Sequence, residues 1–241
     1  MMNTGGRSAG ARQRLRVVTG RISELLSRPD VRRDVIVIGG LLAIQLAFLA
    51  VYFLATDAEA TQPRYLLYPL AWIAVGLWAP LRVGPRTGST RARVVGAAVA
   101  VGYFLLVVWI AGLIGTHGDH AHHVQTGFDV ALASPGWGPR VSYVTALGHV
   151  TVIPYLVVGY ATLSYLVYAA IADATSAAAS GMLGLFACVG CSFSLLASVV
   201  AGAAGGSSGL ATAVYALSID LSTLVFLLAV GLLLWRPGLR G

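Results

Sequence analysis

Six stretches of this chain run almost without charge for the roughly 17–25 residues that a helix needs to cross the hydrocarbon of a bilayer. They lie near Val35–Ala55, Tyr65–Leu81, Val94–Gly115, Val141–Ala170, Ser180–Ala203 and Leu210–Trp235. Of the 241 residues 57% are hydrophobic and only 10% charged, well under the ~25% charged residues of a soluble domain. The reading is an all-α fold, a polytopic transmembrane bundle of six spans, with the lipid bilayer as its first partner. Pro69 and Pro80 lie in the second span, where a kink or tilt is expected. Residues 1–34 form an arginine-rich tail, residues 35–237 the membrane domain and residues 116–140 a histidine-rich loop within it.

Arginine placement sets the orientation. All basic residues are arginine. Eight precede the first span, four (Arg82, Arg86, Arg91, Arg93) follow the second, and Arg236 and Arg240 close the chain. Six spans put these segments on one side, and the positive-inside rule makes that side cytoplasmic. Only Arg64 and Arg140 fall on the other. Both termini are therefore expected inside. The net charge of +7 follows this topology and does not point to nucleic acid. A signal peptide cleaved after Ala58-Glu59-Ala60 is the competing reading of the first span. A leading stretch of over 30 residues and an apolar run of about 20 are both too long for one. Arg12 to Leu26 reads either as a basic amphipathic helix on the inner leaflet or as a solvated tail.

Residues 115–126 read GTHGDHAHHVQT. His117, His120, His122 and His123, with Asp119, make a tract expected outside the cytoplasm. Imidazole suits zinc, copper or nickel, but the spacing matches no closed structural site and flanking glycines favour weak capture. A merely wettable loop is the plain alternative. Trp137, in SPGWGPR, reads as an aromatic anchor at the outer interface.

Polar groups inside the spans are more specific. Cys188 and Cys191, the only cysteines, are three apart and share one face of a helix. At about 1.5 Å per residue they lie roughly 12 and 16 Å into the fifth span. C-x-x-C is the spacing of thiol redox pairs and of half a metal site, although buried cysteine also serves as a small hydrophobe. Asp220 falls about ten residues into the sixth span, where an ionisable group is a functional hypothesis by default. His149 is expected about one and a half turns into the fourth span, at a level near Cys191 and Asp220. Residues such as Ser180, Gly184 and Cys188 recur at four-residue spacing, so the fifth span is expected to pack centrally. There is no phosphate-binding glycine loop, nucleophile elbow or zinc-protease motif, which leaves enzymatic chemistry without visible apparatus.

The segments PRYLLYPLAWIAVGLWA, GYATLSYLVYAAIADATSAAASGMLGLFACVGCSFSLLASVVAG and AVYALSIDLSTLVFLLAVGLLLWRP resemble a group of uncharacterised multi-spanning membrane proteins of halophilic archaea. That group's cysteine segment runs C-V-S-C-T followed by an aromatic–proline pair. Here it is C-V-G-C-S followed by Phe193-Ser194, so the cysteines carry over and the proline does not. The resemblance implies proximity to terminal-oxidase and cupredoxin genes, hence copper or a respiratory complex as partner. Three readings stay open: soft-metal handling (copper or zinc, with Met182 as a further soft ligand), a non-catalytic accessory subunit, and a thiol–disulfide carrier. Single cysteines introduced at Gly5, Gly127 and Gly241 should label from the inside, the outside and the inside respectively. Labelling of position 127 from the cytoplasm would overturn the orientation.

Overall fold

The computed structural model describes residues 28–56, 62–83, 89–116, 126–173 and 208–234. Five helices account for most of them: α1 (Pro29–Ala55), α2 (Pro63–Arg82), α3 (Thr90–Ile110), α4 (Pro154–Asp173) and α5 (Ser208–Leu234). The chain divides into two compact units, residues 1–44 and 45–241, with the boundary inside α1. In the first unit, the described residues continue as helix through position 44, and α1 has no buried residue anywhere along its length. Among the described residues three helices, α1, α3 and α4, are long and apolar enough to cross a membrane.

In the second unit α4 is the hub. It packs most extensively on α3, then on α2, and also on α5, which in turn meets α2. Small residues permit the approach. A methyl on Gly159 of α4 would overlap the indole of Trp72 on α2. Thr162 closes the same seam, its hydroxyl donating to the Gly76 carbonyl at 2.6 Å and to Val158 of its own helix at 2.9 Å. Close backbone contact plus an interhelical hydroxyl bond is how helices associate where no hydrophobic effect separates them from their solvent. α2 runs unbroken through Pro69 and Pro80.

Between α3 and α4 the fold departs from the expected all-α bundle. Residues 114–152 contain a four-stranded antiparallel sheet: β1 (Ile114–Thr116), β2 (Gly127–Ala131), β3 (Arg140–Val144) and β4 (Gly148–Val152), in spatial order β1-β4-β3-β2. The expected fourth span, Val141–Ala170, is therefore two strands and a helix that begins only at Pro154. The cause is legible in the side chains. RVSYV and GHVTV alternate with period two and are rich in β-branched and aromatic residues, and proline suits a helix start. Hydropathy summed over the run hides that alternation.

The helix-to-sheet junction has its own chemistry. Gly112, at φ +70°, follows the end of α3. Leu113 N–H donates back to the Val108 carbonyl and Gly112 N–H to Trp109, the 6→1 arrangement of a Schellman cap. Leu113 itself is buried. The chain is thus turned out of the helix and straight into β1.

Register sorts the sheet into two faces. Ile114, Val150, Tyr143 and Phe128 stand opposite one another across all four strands, and Val152, Val141 and Val130 form a second row. Alternation puts His149, Thr151, Ser142, Asp129 and Arg140 on the reverse, where the Ser142 and Thr151 hydroxyls meet at 3.2 Å. The fifth apolar run, Ser180–Ala203, and the tail helix considered over Arg12 to Leu26 lie outside the described residues.

Gly159→Ala should weaken the fold by about 1–3 kcal/mol, since overpacking forces α2 away from α4. Gly102→Ala, inside α3 with open space around it, should be neutral to stabilising, by up to about 1 kcal/mol. Unfolding of the purified protein in mixed micelles compares the two.

Candidate functional site

The sheet places His149 at the end of the bundle where α3 ends and α4 begins. His117, His120, His122 and His123, with Asp119, fall in residues 117–125, outside the described residues. The strands bracketing that tract are described, and they are the two edges of the sheet, β1 leading in and β2 leading out. Residues 116–140, expected as one loop, thus include all of β2 and the first residue of β3.

His149 is not in a membrane helix. It sits on β4, half-buried, paired in register with Gly115. Its imidazole lies over that glycine so closely that an added Cβ would stand 2.8 Å from Cε1. Nε2 is 3.1 Å from the Gly112 carbonyl. A carbonyl only accepts, so Nε2 donates in this bond. A backbone carbonyl holding one ring nitrogen is the usual support behind a ligating histidine. Among the described residues no three His, Cys, Asp or Glu side chains gather closely enough to hold a metal. Cys188 and Cys191 lie outside the described residues.

Asp220 is elsewhere. Its carboxylate is 3.6 Å from the guanidinium of Arg64, in the first turn of α2, and both side chains are 43% exposed. Arg64 also donates from Nε to Gln62 at 2.8 Å and lies over the Tyr65 ring. His149 and Asp220 each have a partner of their own, the Gly112 carbonyl and Arg64. One is fixed at the α3–β1 junction and the other at the start of α2, and His149 lies on a strand where the fourth span was expected to be helical.

Beside this ion pair the helices are locked by aromatic groups that hydropathy alone did not single out. The Trp72 indole stacks on Phe226 at 4.1 Å and donates to the Thr223 hydroxyl at 3.0 Å, three residues from Asp220. Trp137, from the β2–β3 connection, donates to the Tyr65 carbonyl at 2.6 Å and meets Tyr155 edge-on at 4.7 Å. The expected interfacial anchor thus binds the sheet to α2 and α4. A cleft of about 150 Å³ nearby, lined by residues such as Phe48, Leu66 and Ile73, is apolar but for Gln45.

A family model matches residues 19–240, nearly the whole chain. The chain belongs to DUF7546, a family of unknown function. No curated protein and no solved structure matches it. The DUF7546 match takes in all five helices and the sheet, so the strands belong to the matched region.

Half-exposed ion pairs are screened by solvent, and the Arg64–Asp220 pair should couple by under about 1 kcal/mol. A double-mutant cycle with Arg64→Gln and Asp220→Asn measures this. Coupling of about 3 kcal/mol or more would mean a pair buried away from water.

Proposed function

We propose that this chain is a multi-pass membrane protein of six spans, with both termini cytoplasmic, that captures a soft metal ion on its outer face. Copper or zinc is the cargo. The observation that supports this reading is the β1–β4 register. By pairing Gly115 with His149, it sets the fifth histidine next to the strand from which His117 follows two residues later. A histidine already oriented by the Gly112 carbonyl lowers the ordering cost that a flexible tract otherwise meets, about 1–2 kcal/mol per backbone residue fixed. Imidazole serves zinc and both copper states, and thiolate favours Cu(I). The outer histidines therefore collect the ion, and Cys188 and Cys191, three apart in the fifth apolar run, hold it tightly.

The resemblance to the halophilic archaeal group directs this reading to copper supply for a respiratory complex. The ion pair of Asp220 serves the bundle in this scheme and not the metal.

Purified protein exposed to copper or zinc, desalted and assayed for bound metal, tests the proposal. Replacing His117, His120, His122 and His123 by alanine should lower loading at scarce metal and leave the stoichiometry at excess unchanged. His149→Phe should reproduce part of that loss. Cys188→Ser with Cys191→Ser should abolish the tightly held ion. Protein that retains neither metal under either condition refutes metal handling and leaves the accessory-subunit reading.

A further inference from the structure

Two prolines lie inside α2, Pro69 and Pro80. Proline has no N–H, so each deprives the carbonyl four residues earlier of its helical donor. Those carbonyls belong to Tyr65 and Gly76. Both are hydrogen-bonded all the same, each by a side chain from another element. The Trp137 indole donates from Nε1 to the Tyr65 carbonyl at 2.6 Å, and the Thr162 hydroxyl donates to the Gly76 carbonyl at 2.6 Å. Where water is scarce, a helix tolerates proline when a neighbouring group takes over the freed backbone atom. Here the β2–β3 connection supplies one replacement and α4 the other.

The two replacements differ in burial. Gly76 and Thr162 are both buried, so opening that bond leaves a carbonyl dry and unpaired. Tyr65 and Trp137 are only half-buried, and water can take the place of the indole. Helices also bend at proline. Pro69 therefore separates a fixed inner part of α2 from a short outer turn held down by one exchangeable bond. That outer turn carries Arg64. The Arg64 guanidinium lies 5.1 Å from the centre of the Tyr65 ring, which meets the Trp137 ring edge-on at 6.4 Å. The same guanidinium holds Asp220 at 3.6 Å. Contacts thus run from Trp137 through Tyr65 and Arg64 to Asp220.

We propose that Trp137 is the latch of a hinge at Pro69, and that it couples the β2–β3 connection to the Arg64–Asp220 pair. Latched, the outer turn of α2 presents Arg64 to Asp220. Released, the turn swings about Pro69 while Thr162 holds the helix at Gly76, and Asp220 on α5 loses its counter-ion. Trp137 is a positioning residue in this device. The hinge goes beyond the metal reading and uses neither the histidine tract nor the cysteines.

Modification of Asp220 by a hydrophobic carbodiimide reads the pairing, because the guanidinium shields the carboxylate. The protein is labelled in liposomes and the product at Asp220 is quantified by mass spectrometry. Arg64→Gln sets the fully released rate. Trp137→Phe should raise the rate about five-fold or more over wild type, the lower end of ordinary coupling between sites. Adding Pro69→Ala to Trp137→Phe returns a backbone donor to the Tyr65 carbonyl, and should bring the rate back to within about two-fold of wild type. The benzothiophene analogue of tryptophan at position 137 removes only the N–H and should act as Trp137→Phe does, which keeps the test open where phenylalanine underpacks the seam. A rate unchanged by both replacements at 137 would overturn the latch. So would a Trp137→Phe effect that Pro69→Ala leaves intact, since the indole would then act by packing alone. Equal rates for Arg64→Gln and wild type would overturn the coupling to Asp220.

Discussion

The indole of Trp72 is where α2, α4 and α5 meet, and the packing of the second unit depends on the fit around it. One edge rests on Gly159, one face lies flat against Phe226, and Nε1 donates to Thr223. Tyr155 and Tyr160 approach edge-on from α4. In a lipid environment helices gain little from apolar burial as such, so shape fit and the satisfaction of a few polar atoms decide which faces meet. A large aromatic seated on a glycine supplies the first, and the indole-to-hydroxyl bond supplies the second. Thr162 repeats the device at Gly76.

That locked seam also fixes the sheet. Tyr155, in the first turn of α4, packs on Trp72 and on Trp137. Its backbone N–H donates to Gly136 in the β2–β3 connection at 3.1 Å. The connection is thereby held against the helices, and β1 is held by the capped end of α3. The sheet is anchored at both sides by elements of the bundle, which makes its upper end a defined platform. The two strands flanking the histidine tract and the strand carrying His149 belong to that platform.

Asp220 shows how depth in sequence differs from depth in space. Counted along α5 it is near the middle, yet its partner is the second residue of α2. The two helices are offset along their axes, so a carboxylate far from either end of its own helix meets the end of another. With both side chains partly open to solvent, the pair orients α2 and α5 more than it stores energy.

The sequence by itself determined the apolar runs that became helices. Four of the expected spans overlap α1, α2, α3 and α5, with ends that differ by up to six residues, because a long uncharged run has few alternatives to a helix. It also determined the arginine asymmetry and the isolation of the histidine tract. The strands were not legible in summed hydropathy. In residues 140–152 both faces carry valine, tyrosine or threonine, so total apolarity matched a helix and only the period-two alternation spoke against one. The tertiary structure alone decided that His149 lies over Gly115, that Arg64 completes the Asp220 pair, and that Trp72 sits on Gly159. Each joins residues far apart in the chain through a contact set by backbone approach, and no local pattern encodes the distance between two helices.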